Sequence, residues 1–303
     1  MDKQQPDIID YEGSSYRTDF WEGKGRDYED GAERVALNRM LPFNGGRRLL
    51  EIGAGFGRLT NIYHAYQQVV LLDYSFSQLQ YAREQHGALQ RFVYVAADAY
   101  NLPFRPGVFD GLTMIRTIHH FRDVPLVLRG IRRVSAPGGV LILEHANKRN
   151  LKAMLRYALD LQEWSPYTLT PHEFVDLNID FHPTYMQNMV RASSFEVVKR
   201  FPVSYFRLGL IKRALPTDAL VWLDGALQHS TLFYAPSVFI KAIATGPTPD
   251  HTAVPLHTPD ALFAAPGTGN PLQREGATLV DTVTGQRWAI RDGIYDFKTP
   301  LGD

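Results

Sequence analysis

The chain has 303 residues, 45% apolar and 21% charged, which supplies a large core and is too apolar for general disorder. Lys+Arg and Asp+Glu both total 32, so a chain-wide basic footprint for nucleic acid is excluded and only a local patch would remain. Cysteine is absent, which removes disulfide scaffolds, thiolate metal sites and cysteine nucleophiles.

The N-terminal stretch MDKQQPDIIDYEGSSY is polar and acidic and lacks a signal-peptide core. No apolar run reaches the length that crosses a bilayer, so a cytoplasmic location without a membrane span is expected. RRLLEI (47–52) reads as a short strand, followed by a glycine loop and a helical stretch through Tyr66. QVVLLDY (68–74) is a second, buried strand, and Ser75 to Gln78 opens a helix running toward Gly87. RFVYVAA (91–97) and the run Phe109 to Ile115 are the third and fourth strands. Asp123 N-caps a helix whose Val127, Ile131 and Val134 recur at helical spacing. Pro137, Gly138 and Gly139 then lead into a fifth strand, VLILEHA (140–146). This alternation predicts an α/β fold, Rossmann-like and doubly wound, with right-handed crossovers and a mostly parallel sheet.

Residues 150–192 read as a helical, aromatic-rich insertion containing Trp164, Tyr167, Phe174, Phe181 and Tyr185. It is either a lid over a flattish or apolar acceptor that His172, His182, Trp164, Tyr167 and Phe181 could face, or a core for the extra helices, as expected for Phe174 and Tyr185. FEVVKRF (195–201) and PSVFIKAIA (236–244) are further strands. The Pro-rich, aperiodic segment 246–259 reads as a linker between a main domain, 1–245, and a small β-rich module, 260–303.

Residues 49–59, LLEIGAGFGRL, place glycines at 53, 55 and 57 directly after a strand. Such glycines let backbone N–H groups approach a ligand, although a glycine triplet alone equally describes a tight turn. Two strand-end acids decide between these readings. Asp73 ends the second strand, where a carboxylate accepts from ribose hydroxyls, and Asp98 comes just after the third, where one can accept from an adenine amino group. All three features fall on one edge of a doubly wound sheet. A nicotinamide dinucleotide would favour G-x-G-x-x-G and does not ordinarily need the third-strand acid.

Taken in order, LLEIGAGFGRL, VVLLDYSFSQLQYARE, ADAYNLPF, FDGLTMIRTIHHF and APGGVLILE resemble the motifs of class I S-adenosylmethionine-dependent methyltransferases, over about 40–146 and more weakly to 244. The closest flavour is the subgroup that includes the ubiquinone and menaquinone biosynthesis enzymes. The resemblance implies a seven-stranded sheet with an antiparallel last strand and S-adenosyl-L-methionine as cofactor. It assigns Glu51, Gly53, Ala54 and Gly55 to the methionine end of the cofactor and Asp73 to the ribose, with Tyr74 flanking the adenine. Asp98 and Ala99 would read the adenine edge, and Arg116 would lie beneath the methionine near the methyl group.

Methyl transfer from a sulfonium depends mainly on alignment, and a base is needed only where the acceptor loses a proton. The candidates for that role are His120, His182 and Glu144, each equally readable as a residue that packs a strand end or satisfies loop backbone. Trp21, Arg26 and Tyr28 precede a helix in a leading segment of the kind that covers the cofactor in some family members. No histidine pair has metal-ligand spacing, so no metal is expected.

Residues 199–213, KRFPVSYFRLGLIKR, interleave basic and aromatic side chains, which would suit RNA, but zero net charge favours solvated charges on a strand and loop. The end of the chain resembles the small zinc-ribbon proteins that activate tRNA and protein methyltransferases, chiefly in Ile290 to Ile294 and the turn at Thr284 and Gly285. The positions of its two metal knuckles carry Ala265, Thr268, Asp281 and Thr284, so no zinc is held in the family's way. The leading expectation is a methyltransferase for a small or medium organic acceptor. The alternatives are one acting on tRNA or a translation protein, and a cofactor-binding protein without catalysis.

Overall fold

A computed structural model of the chain describes residues 8–14, 25–87 and 91–302. Helix α1 (Asp27–Met40) leads into β1 (Gly46–Ile52), β2 (Tyr66–Asp73), α2 (Phe76–His86), β3 (Phe92–Ala96), β4 (Phe109–Met114), α3 (Val124–Val134) and β5 (Ser135–Ala146). Next come α4 (Leu151–Ala158), β6 (His172–Val175), β7 (Asn178–Asp180), α5 (Pro183–Ala192) and β8 (Phe195–Val203). After these lie α6 (Gly209–Ala214), α7 (Thr217–Leu227), β9 (Ser237–Ala244) and four closing strands: β10 (Leu272–Glu275), β11 (Thr278–Asp281), β12 (Arg287–Arg291) and β13 (Ile294–Leu301).

The alternation of branched residues explains the layering. Leu50, Ile52, Val70 and Leu72 face a core shared with Val127, Leu128 and Ile131 of α3 and Met186 and Val190 of α5. Their neighbours Leu49, Val69 and Leu71 face the opposite core, against Ala36, Leu37 and Met40 of α1 and Leu79 of α2. Both faces of the sheet are therefore dry, as a parallel sheet requires. Strands β3, β2, β1, β4 and β5 run parallel in that order, and β9 lies antiparallel to both β5 and β8.

The expected count of seven strands is corrected to eleven. The closing strands form an antiparallel meander that joins the same sheet, because β13 pairs in parallel with β3, Ile294 opposite Tyr94 and Asp296 opposite Ala96. Phe263, stacked on Phe104 with centroids 5.6 Å apart, and Trp288 and Phe297 extend the core beneath this edge. Where the zinc-ribbon resemblance would place a metal, hydrogen bonds tie the two turns together. Asp281 accepts from Val283 N at 2.8 Å, Thr284 N at 3.2 Å and Asn270 Nδ2 at 3.0 Å. Burial opposes its charge, yet these donors hold its carboxyl at about 2. No metal-capable cluster occurs among the described residues.

Three local expectations also change. The stretch after the glycine loop forms only a 3₁₀ turn, Thr60–Tyr63, because β2 already begins at Tyr66 and leaves no room for a longer helix. The insertion 150–192 is only partly helical, since β6 and β7 form a hairpin within it. Phe174 sits on that hairpin 57% exposed rather than in a core. The aperiodic segment 246–259 is strapped to the protein: fully buried Arg48 donates to Val254 O at 3.0 Å and to Gln68 Oε1 at 2.7 Å, and Gln68 Nε2 donates to Leu256 O at 2.9 Å.

Candidate functional site

A cleft opens above the carboxyl ends of β1, β2, β3 and β4. Its walls include Gly53, Gly55, Asp73, Tyr74, Ala99 and Arg116, with Ile8, Ile9 and Tyr11 of the N-terminal segment across it. Glu12 anchors that segment by accepting from Phe76 N at 2.6 Å and Ser77 N at 3.2 Å, thereby capping α2. Trp21 lies outside the described residues, whereas Tyr28 is buried in α1 and donates to Asp224 Oδ2 at 2.6 Å.

The glycine loop bends sharply because Gly53 N and Ala54 N both donate to Leu72 O, at 2.8 and 3.0 Å. Gly53 has φ +73°, and a Cβ there would lie 2.2 Å from Thr117 Oγ1. Gly55, with φ +53°, is different, since a Cβ on it would meet nothing within 4 Å. One glycine permits close packing of the loop on the fourth strand's end, and the other leaves a cradle open toward the cleft.

Each strand-end acid is tied to the loops around it. Asp73 accepts from Gly55 N at 2.7 Å and Ser75 N at 2.9 Å, and burial pushes its pKa up against those hydrogen bonds. Asp98 accepts from Tyr100 N at 2.7 Å and Asn101 Nδ2 at 3.1 Å, capping a short turn that presents Ala99 to the cleft. Glu51 accepts from the Tyr63 hydroxyl at 3.1 Å and from Thr60 Oγ1 at 3.3 Å, and burial raises it to about 7. The Lys298 ammonium of β13 lies 5.2 Å from the Tyr74 ring centroid, so the closing strands reach the cleft's rim.

Toward β4 and β5 the site becomes a buried charge network. Arg116, at φ +54°, donates its backbone N–H to Glu144 Oε2 at 2.8 Å and its Nε to Glu33 Oε1 at 2.6 Å. Glu33, fully buried on α1, also holds Arg58 Nη2 at 2.8 Å. Burial opposes its charge, but Arg116 and Arg58 outweigh that and hold it at about 2. Glu144 also accepts from Ser237 Oγ at 2.5 Å, and burial raises its pKa.

Each of the three base candidates is engaged by the fold. Glu144 belongs to the network just described. His120 places Nδ1 2.7 Å from Leu177 O, and burial lowers its pKa. His182 caps α5, its Nδ1 accepting from Thr184 N at 3.1 Å. Glu33, Arg58, Asp180 and Arg207 were given no role from the sequence, although Arg58 lies within LLEIGAGFGRL and Arg207 within the stretch 199–213, whose charges were expected to be solvated, whereas Arg207 Nε is buried.

With this geometry in view, residues 50–143 match a family model described as a methyltransferase domain. The 27-O-demethylrifamycin SV methyltransferase of Amycolatopsis mediterranei is 31% identical over 138 residues, which is 43% of this chain and 51% of that protein. The ubiquinone/menaquinone biosynthesis C-methyltransferase UbiE of Teredinibacter turnerae is 34% identical over 139 residues, 43% of this chain and 54% of that protein. The chain thus spans about half the length of the curated relatives it matches. Among solved structures, the complex of the Haloferax volcanii Trm112 methyltransferase activator and a putative methyltransferase contains a similar fold. Its TM-score is 0.53 at 17% identity, covering 75% of this chain and 97% of that one. These matches are all to methyltransferases, and they fall on the part of the chain that carries the glycine loop and the strand-end acids. No helix among the described residues is long and apolar enough to cross a membrane.

Proposed function

We propose that the chain is an S-adenosyl-L-methionine-dependent methyltransferase acting on a small or medium organic acceptor in the cytoplasm. The observation that carries this reading is the convergence of Gly55, Asp73 and Ala99 on one cleft, with an open cradle at Gly55 where a Cβ would meet nothing. Asp73 would hold the ribose and Tyr74 the adenine face, with Asp98 and Ala99 at the adenine edge. Glu51, Gly53, Ala54, Gly55 and Arg116 would line the methionine end. The cofactor supplies a methyl group already activated by its sulfonium.

The protein's own contribution is alignment and exclusion of water. Ile8, Ile9 and Tyr11 cover the cleft, and the Glu33 network fixes Arg116 where in-line displacement would occur. Residues 1–245 would form the catalytic domain, with 260–303 a ribbon-like module without metal that stabilises the β3 edge. Calorimetric titration with S-adenosylhomocysteine tests the reading. Micromolar binding that Asp73→Ala weakens supports it, and absence of binding by the wild-type chain refutes it. The module favours a second reading, action on tRNA, for which binding should fall steeply with salt.

A further inference from the structure

Beside the cofactor cleft lies a set of polar groups that the fold leaves wholly or partly without hydrogen-bond partners. Asp180, at the end of β7, is half-buried, and its carboxylate makes no hydrogen bond or salt bridge among the described residues. Arg207, just past β8, donates Nη2 to Ser237 Oγ at 2.9 Å while its buried Nε has no partner. His119 likewise has a buried Nδ1 without a partner. Hydrogen bonds connect this set to the cleft, running from Arg116 N to Glu144, from Glu144 to Ser237 and from Ser237 to Arg207.

The topology explains why they meet. Ala146 and Val203 are both in register with Ser237, so the ends of β5 and β8 and the start of β9 lie on the same edge as the cofactor loops. The hairpin is fastened there because Phe181 N donates to Ala146 O at 3.0 Å and Lys148 N to Phe181 O at 3.0 Å. Asp180 pairs opposite His172, on which Trp164 is stacked with centroids 4.4 Å apart, so the carboxylate shares its face of the hairpin with a flat aromatic surface.

We propose that Asp180 and Arg207 form the acceptor subsite and take a planar acceptor bearing an acidic hydroxyl, a phenol or enol. Asp180 accepts the hydroxyl proton as the O–H bond breaks, and the electron pair stays on oxygen, where its charge faces Arg207. A neutral amine acceptor would become cationic on methylation and would be repelled by the guanidinium, which is why the pair favours oxygen acids. The electrostatic surroundings of Asp180 agree with this assignment. Burial raises Asp180 to about 6, offset by Arg207 and Lys148 and reinforced by Glu144, with His172 opposite it in register. A carboxylate near that value is a competent base at neutral pH.

This inference rests on the methyltransferase reading, and the experiment separates the two. The full chain, loaded with S-adenosylhomocysteine, is titrated with 3-nitrophenol while absorbance reports the probe's ionisation. The wild type should bind it as the anion, with affinity flat between the pKa of Asp180, about 6, and that of the probe. Asp180→Asn should make affinity climb about tenfold per pH unit, since the proton must then leave for solvent. Arg207→Met should leave the bound probe protonated and bind it about tenfold more weakly. Equal S-adenosylhomocysteine affinity in all three proteins shows that the variants are folded. Failure of the wild type to bind S-adenosylhomocysteine sinks the methyltransferase reading. If it binds S-adenosylhomocysteine but not the phenol, binds the phenol unionised, or neither substitution changes the titration, the subsite alone is overturned.

Discussion

The cleft and the cluster proposed beside it treat charge in opposite ways. On the β1–β3 side Asp73, Asp98 and Glu51 each accept hydrogen bonds from nearby loop or side-chain donors. On the β5–β8 side the Asp180 carboxylate has no hydrogen-bond or salt-bridge partner among the described residues and Arg207 only part of its complement. A ligand common to a whole family can be met by a rigid, pre-satisfied frame, which costs little reorganisation on binding. An acceptor that varies between relatives calls for groups whose partners arrive with it. Among the described residues, His119 Nδ1, His145 Nε2, Ser204 Oγ and Arg207 Nε are buried polar atoms without a hydrogen-bond partner on the β5–β8 side, and such atoms call for an explanation.

Four substitutions probe this contrast, beginning with the greatest effect. Gly53→Val would drive a branched side chain against Thr117 at a backbone angle that disfavours it. Cofactor binding should disappear in calorimetry and the fold should lose about 3 kcal/mol in urea unfolding. Retained binding would show that the frame is not rigid. Asp73→Ala should weaken S-adenosylhomocysteine binding about a hundredfold while leaving phenol binding to the neighbouring cluster unchanged.

Glu33→Gln examines the joint between the two. The Glu33 pKa is depressed to about 2 from 4.5, so its contribution is present above about pH 4.5 and lost as pH falls toward 2. The variant should be about 2 kcal/mol less stable than the wild type at pH 7, with the gap closing in acid. Parallel pH profiles of the unfolding midpoint would show that Glu33 couples nothing. Asp180→Asn gives the smallest effect and the opposite sign. Its raised pKa, about 6, means that wild-type stability is full below about pH 4 and lost as pH rises through 6. The variant should melt a few degrees higher at pH 7.5, a gain of about 1 kcal/mol, and match the wild type at pH 4.

The elements around the cleft were legible because their signals are local: branched runs for β1 and β2, glycines between them, an acid at the end of a strand. On the β5–β8 side the sequence suggested only that His172, His182 and the aromatics of the insertion could face an acceptor, and its charged groups stayed hidden. Glu33, Asp180 and Arg207 lie far apart in sequence, and each read singly is an ordinary surface charge. The hairpin at 172–180 was hidden because HEFVDLNID alternates too briefly to outweigh helical neighbours. Phe174 shows the same limit, since apolarity cannot distinguish a core residue from one presented at the surface. The strands of the C-terminal module were readable as strands, but nothing local says which edge of which sheet they join.

That edge has a consequence for how the protein behaves in a cell. Strand β13 supplies Ile294, Tyr295 and Asp296 to the side of β3 from within the same chain. An edge closed by a separate subunit opens whenever that subunit is scarce, and then invites pairing with foreign strands. Here the closing strand stays at an effective concentration set by its own tether. The edge therefore stays covered at any expression level, and the ratio of cover to sheet is fixed at translation.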